Sequence, residues 1–193
     1  MDERMNGLSG REQDATAENL KQEGLHLFQR GAYPKALVRF EAAVQVYKEL
    51  DDSAGQAEML NNIGVLHRLQ GNWEAAVTAL KNAETLFIGV GDESRRAQTL
   101  GNLGDLYAGQ RHYKQAAGCY SDAAQLFARA EDRQKQADVL RAYSLMALRQ
   151  RDWVTAMNLM AESLRVRPRR SIGQQLFHLL LRIVLRLMAG RQD

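Results

Sequence analysis

The sequence predicts an all-α array of four helix-turn-helix repeats closed by one further helix, and three observations carry that expectation. The first is a period of 40 residues: Ala17, Ala57, Ala97 and Ala137 share one column, and Leu20, Leu60, Leu100 and Leu140 share the next. In the same phase stand an aromatic column (Tyr33, Trp73, Tyr113, Trp153), a second alanine column (Ala36, Ala76, Ala116, Ala156) and a bulky column (Phe40, Leu80, Tyr120, Met160). The second is a small residue at Gly24, Gly64, Gly104 and Ser144, where helix A of each repeat must come close to helix B. The third is composition: only Pro34 and Pro168 interrupt a chain rich in Ala and Leu, both strong helix formers.

This spacing resembles the tetratricopeptide repeat pattern over about 150 residues. The family's usual period is about 34 residues and it often closes with a proline. Here the unit is longer, and the closing proline is missing from the first three repeats. A junction reading GDESRRAQTLGNLG in a 40-residue unit is similar to the longer-helix branch, the Leu-Gly-Asn repeat proteins and the kinesin light chains. Arg95, Arg96, Ala97, Leu100, Gly101, Asn102, Leu103 and Gly104 carry that second likeness. The resemblance implies a right-handed superhelical solenoid and a protein-binding adaptor, one that uses groove asparagines and nearby arginines to hold acidic peptide segments.

Residues 1–14, MDERMNGLSGREQD, mix charge with Gly and Ser and offer no apolar stripe, so a disordered tail is expected there. Repeats are expected at about 15–52, 53–91, 92–132 and 133–167. In the first, helix A turns at Gly31 and Ala32, and Pro34 opens helix B, where its missing N–H needs no partner. Asp51, Asp52 and Ser53 end that helix, and Asp or Ser can cap the next one by accepting its free N–H groups. Later turns fall at Gly71–Asn72 and Arg111–His112, with breaks at Gly91–Asp92 and Glu131–Asp132. Residues 168–172 read as a basic connector and 173–190 as a capping helix. Phe177, Leu180, Ile183, Val184 and Leu187 of that helix continue the core columns of helix A, and an array needs such a cap to cover its last apolar face.

Composition fits one soluble globular array, with 193 residues, 45% hydrophobic and 25% charged. Cys119 is alone, which excludes an intrachain disulfide, and the N-terminus lacks the apolar core of a secretory signal, so a cytoplasmic protein is expected. The net charge of +3 conceals a polarity, because residues 165–193 hold seven arginines against Asp193, a net of +6 that leaves −3 for the rest.

Function in such an array is expected on the face of helix A that the core does not use. With Ala57, Leu60, Ile63, Gly64 and His67 assigned to the core, the opposite stripe of the second repeat is Glu58, Asn61, Asn62, Val65, Arg68 and Leu69. Equivalent positions are Glu18, Lys21, Gln22, Leu25 and Phe28 in the first repeat, and Gln98, Asn102 and Asp105 in the third. In the fourth they are Asp138, Arg141, Leu145 and Arg149. Asn62 and Asn102 share a column, and a row of carboxamides can donate to and accept from the backbone of a bound peptide. A concave groove that binds a partner peptide or helix is the expected site.

Catalytic, metal and cofactor sites are not expected. His26, His67, His112 and His178 stand in four different columns and form no metal-binding pattern. His67 replaces the aromatic Tyr107 of the third repeat, and Cys119 has no histidine in register to activate it. Gly101 and Gly104 lie inside a helix and follow no strand, so they do not cradle phosphate. The groove columns are mixed in sign, which argues against nucleic acid and leaves Arg165, Arg167, Arg169 and Arg170 as a solvated connector. From Leu176 to Ala189 an ideal helix reaches about 21 Å, short of the roughly 30 Å of hydrocarbon in a bilayer. That helix nonetheless carries a second apolar stripe, Leu181, Leu185 and Met188. The stripe sets up the competing expectation of a self-assembling or membrane-peripheral structural protein, either a homodimer through this helix or an arginine-flanked contact with an anionic membrane surface.

Overall fold

A single left-handed residue punctuates the chain every 20 positions: Gly31, Asp51, Gly71, Gly91, Arg111, Glu131 and Arg151 all have φ between 55° and 79°. Each ends a helix. At the first, the Gly31 N–H donates to the Phe28 carbonyl and the Ala32 N–H to the Leu27 carbonyl, both at 2.9 Å. The same pair of bonds recurs at every later junction and satisfies carbonyls that the helix end would leave free. The computed structural model describes residues 10–168 together with Gly173, Leu179 and Leu180.

Eight helices result among the described residues: α1 (Gly10–Gln29), α2 (Tyr33–Glu49), α3 (Ser53–Leu69), α4 (Trp73–Gly89), α5 (Glu93–Gly109), α6 (Tyr113–Arg129), α7 (Arg133–Arg149) and α8 (Trp153–Val166). Four begin on an aspartate that caps them: Asp52, Asp92, Asp132 and Asp152 accept the N–H of Gly55, Arg95, Lys135 and Thr155 respectively. Such a cap contributes about 1 kcal/mol. The chain divides into two compact units, Met1–Thr99 and Leu100–Asp193.

Within the first unit α1 packs on α2, α2 on α3 and α3 on α4. The close approaches explain the small column. A methyl group on Gly24 would lie 2.5 Å from Phe40, and one on Gly64 would lie 2.5 Å from Leu80. Phe40, Val46, Met59 and Leu66 are fully buried here, and each contributes roughly 1.5–3 kcal/mol by leaving water. Within the second unit α6 packs on α7 and α7 on α8. Gly104 faces the ring of Tyr120, which stacks on Tyr143 with centroids 5.8 Å apart. Ser144 takes the place of glycine in this column because its hydroxyl finds a buried acceptor, the Ala156 carbonyl, at 2.7 Å. Ser163 does the same with the Ala137 carbonyl.

The all-α repeat array expected from the sequence is therefore present, with two corrections. First, α1 starts at Gly10 rather than near Ala15, so residues 10–14 are helical and not a disordered tail. Second, the core position next to Ile63 and Gly64 is Leu66, fully buried, while His67 is half-buried with Nδ1 enclosed and without a hydrogen-bond partner. The aromatic column marks the start of helix B, and Trp73 and Trp153 in it are exposed. Residues 1–9 and 169–172 lie outside the described residues, as do Leu181, Leu185 and Met188; of the expected capping helix Gly173, Leu179 and Leu180 are described and helical, and Leu180, expected in a core column, is instead 61% exposed.

Candidate functional site

In the first unit the helix-A stripe of α1, α3 and α5 is tied together by charge. Glu58 stands near the middle, with Lys21 Nζ 2.9 Å from Oε1 and Arg95 4.0 Å from Oε2. Lys21 also reaches Glu18 at 3.6 Å, and Arg95 reaches Asp92 at the same distance. The row Glu18, Lys21, Glu58, Arg95, Asp92 thus alternates in sign. Lys21 and Glu58 are the least exposed members, where screening by water is weakest.

Two titrations follow from the row. The carboxyl of Glu18 is held below its ordinary range, first by the Gln22 amide donating to it at 2.7 Å and then by Lys21. The Tyr47 phenol, buried beneath and donating to Glu18 at 3.5 Å, is pushed up to about 12 by burial and by the carboxylates of Glu18, Glu58 and Asp52. Tyr47 therefore remains a neutral donor at physiological pH.

A cleft of about 160 Å³ opens beside this row, lined by Leu25, Glu58, Asn61, Asn62, Phe87, Arg95 and Gln98. Five of the sequence-predicted stripe residues meet there: Leu25, Glu58, Asn61, Asn62 and Gln98. Asn61 is itself buried and holds an interaction within the chain, so it walls the cleft instead of projecting from it. Asn62 is half-buried and Gln98 exposed. Val65 and Arg68 are half-buried and do not line this cleft. Phe87 and Arg95 complete it. The stripe argument placed Leu25 in the first repeat but assigned neither Phe87 nor Arg95 to the groove. A signal was present for Arg95, since Lys21, Glu58 and Arg95 recur at the full period less three residues, one helical turn, with alternating sign.

In the second unit the equivalent residues are arranged differently. Asp105 accepts the Tyr120 hydroxyl at 2.7 Å, and Asn102 is half-buried with an interaction of its own. Asp138 is engaged by Arg167 at 2.6 Å and by the Gln134 amide at 2.9 Å. Arg141, Leu145 and Arg149 are exposed along α7, and among the described residues neither arginine enters an ion pair. Leu148, one turn beyond Leu145, is exposed as well. This face can offer free guanidinium donors beside aliphatic surface, whereas the first unit offers carboxamides beside Leu25 and Phe87.

A larger hollow, about 620 Å³, lies between α1 and α2 and shares no residue with the cleft. Among the described residues no helix is long and apolar enough to cross a membrane, and no group of His, Cys, Asp and Glu is placed to hold a metal ion.

Paired antiparallel helices of near-constant length, a glycine or serine at each crossing and a repeated polar stripe on helix A define a helical-repeat protein. A family model described as tetratricopeptide repeat matches residues 13–88. The crystal structure of BtubC (BKLC) from P. vanneervenii is similar with a TM-score of 0.71 at 18% identity, covering 82% of this chain and 69% of that one. At that identity the likeness speaks for the fold alone. The pilF protein of Pseudomonas aeruginosa aligns over 93% of each chain at 19% identity with a TM-score of 0.46, too loose to add to the assignment. No curated protein matches the sequence. Repeats of this class present extended surfaces to protein partners.

Proposed function

We propose that the chain is a non-enzymatic adaptor that holds a peptide or helix of a partner protein on its helix-A faces. The observation that carries this reading is the cleft beside Glu58. Its cations and carboxylates pair with one another, while the Asn62 and Gln98 amides stand beside Leu25 and Phe87. Carboxamides next to an apolar floor suit a peptide, because each amide both donates to and accepts from a backbone while side chains enter the floor. Asn102, Asp105, Asp138, Arg141, Leu145 and Arg149 extend the binding role to the helix-A faces of the second unit.

The test removes amide and guanidinium groups without touching the core. Asn62→Ala, Asn102→Ala and Arg141→Ala together are expected to leave helical content and melting temperature almost unchanged. Quantitative affinity purification with mass spectrometry, comparing this variant with the wild type, is expected to show a common set of partners depleted. An unchanged partner set would remove the helix-A faces from the function.

A further inference from the structure

The turns from helix A to helix B follow one column pattern, and the two units fill it differently. In the first unit the left-handed residue is Gly31 or Gly71, and the α3–α4 turn, residues 70–74, holds no cation and one acid, Glu74. In the second unit the left-handed residue is Arg111 or Arg151, each at φ 62°, and Lys114 follows three positions after Arg111. Glycine would adopt that conformation without strain, so a cation stands at each turn against the backbone preference. Arg111, Lys114 and Arg151 are exposed, and among the described residues none of the three enters an ion pair. Asp152, the acid beside Arg151, is turned to the start of α8, where it accepts the Thr155 N–H at 3.1 Å. Apolar surface stands next to these charges. Trp153 is 57% exposed and Val154 52% at the first two positions of α8, and Leu148 is exposed in the last turn of α7.

We propose that the α5–α6 and α7–α8 turns of the second unit seat the protein on an anionic bilayer, with Trp153 and Val154 in the interfacial layer and Arg111, Lys114 and Arg151 among the lipid phosphates. Both turns fall at the same end of their antiparallel helix pairs, and α6 packs on α7 between them, so one surface can meet both. Cations alone would suit any polyanion. The pair Trp153 and Val154 selects a bilayer, because an indole at headgroup level leaves its ring in the apolar layer and its N–H toward water, while valine loses water beside it. A row of carboxylates or a nucleic-acid backbone offers neither gain. The cleft beside Glu58 and the hollow between α1 and α2 include no residue of these turns, so the apolar pair is presented outward, to a surface that deforms around it as lipid does. Such a contact is peripheral, since among the described residues no helix can cross a membrane. None of Arg111, Lys114, Arg151, Trp153 and Val154 belongs to the helix-A faces proposed to bind partners, so the two readings stand or fall independently.

The experiment sediments the full chain with vesicles of phosphatidylcholine alone and of phosphatidylcholine with about one third phosphatidylserine. The wild type is expected to pellet with the second and remain in solution with the first. Each cation is expected to contribute roughly fivefold to partitioning, so Arg111→Gln, Lys114→Gln and Arg151→Gln together should lower it about a hundredfold. The chain has two tryptophans, Trp73 and Trp153, in the same repeat column, which gives an internal control. Trp73→Phe leaves Trp153 alone, and its emission is expected to shift to shorter wavelength on the anionic vesicles; Trp153→Phe leaves Trp73 alone, and its emission is expected to stay unchanged. A wild type that ignores the anionic vesicles overturns the proposal. Pelleting that the triple variant retains overturns it as well, since the contact would lie elsewhere on the chain. If polyglutamate or duplex DNA retains the wild type while Trp153 emission does not move on vesicles, the cations serve a protein or nucleic-acid partner and the bilayer reading fails.

Discussion

Glu58 and Asp138 occupy the same column of the repeat, yet Glu58 holds a lysine and an arginine from neighbouring A helices, and Asp138 holds Arg167 from the end of α8. The consequence for the two faces is opposite. Around Glu58 the cations are engaged and the amides are left to meet a ligand. On α7 the carboxylate is drawn away, leaving Arg141 and Arg149 unpaired among the described residues beside Leu145 and Leu148. A repeat column fixes where a side chain stands; its neighbours decide whether its charge is available.

The largest expected effect tests what the two units have in common. Both depend on an alanine at the helix crossing, Ala76 in one and Ala116 in the other, each fully buried, although the bulky residue nearby is Leu80 in the first and Tyr120 in the second. Ala76→Leu and Ala116→Leu are each expected to cost about 1–3 kcal/mol in urea unfolding by overpacking the crossing. Ala36→Leu, in the first repeat, is expected to cost less because fewer neighbours constrain it. Central losses no larger than that of Ala36→Leu would contradict the shared crossing.

A smaller effect separates the units at their turns. The A-to-B turns of the first unit use Gly31 and Gly71, whereas those of the second hold Arg111 and Arg151 at φ 62°. A side chain in that conformation costs about 1–2 kcal/mol, partly offset by the greater freedom glycine has in the unfolded chain. Arg111→Gly and Arg151→Gly are therefore each expected to raise the unfolding free energy by about 0.5–1 kcal/mol, and Gly71→Arg to lower it by a similar amount. A loss of stability on Arg111→Gly would mean that the arginine makes a contact outweighing the backbone strain.

These turns also show how far the sequence could be read. Arg111 and Arg151 give no turn signal of their own, and the period alone placed the junctions there, since Gly31 and Gly71 stand in the same column. The period could not reveal the start of α1, because residues 10–14 bury no apolar side chain. An existing helix extends at low cost one residue at a time, so no apolar stripe was required. At the candidate site, Asn61 and Asn62 looked alike in the stripe, and packing distinguished them by turning Asn61 inward. The ion-pair row was harder still to see, for it joins residues on three helices and depends on side-chain reach rather than on column alone.

The smallest expected effect is acid sensitivity, and it too can be divided between the units. In the second, the Asp132 carboxyl is held below its ordinary range chiefly by the Lys135 backbone N–H, and that of Asp152 by its hydrogen bonds with Thr155. In the first, Glu18 is lowered by Gln22 and Lys21. A carboxylate whose pKa is lower folded than unfolded adds stability above its unfolded value, and this is lost as pH falls through its folded value. Thermal melts taken from about pH 6 down to about pH 3 are thus expected to show a falling melting temperature. Asp132→Asn with Asp152→Asn keeps an oxygen to accept the helix N–H but removes the titrating charge, so the slope should flatten. Glu18→Gln should flatten it independently, through the first unit. If the double variant keeps the full slope while Glu18→Gln removes it, the acid response belongs to the ion-pair row around Glu58, and the aspartate caps of the second unit act through hydrogen bonding without their charge.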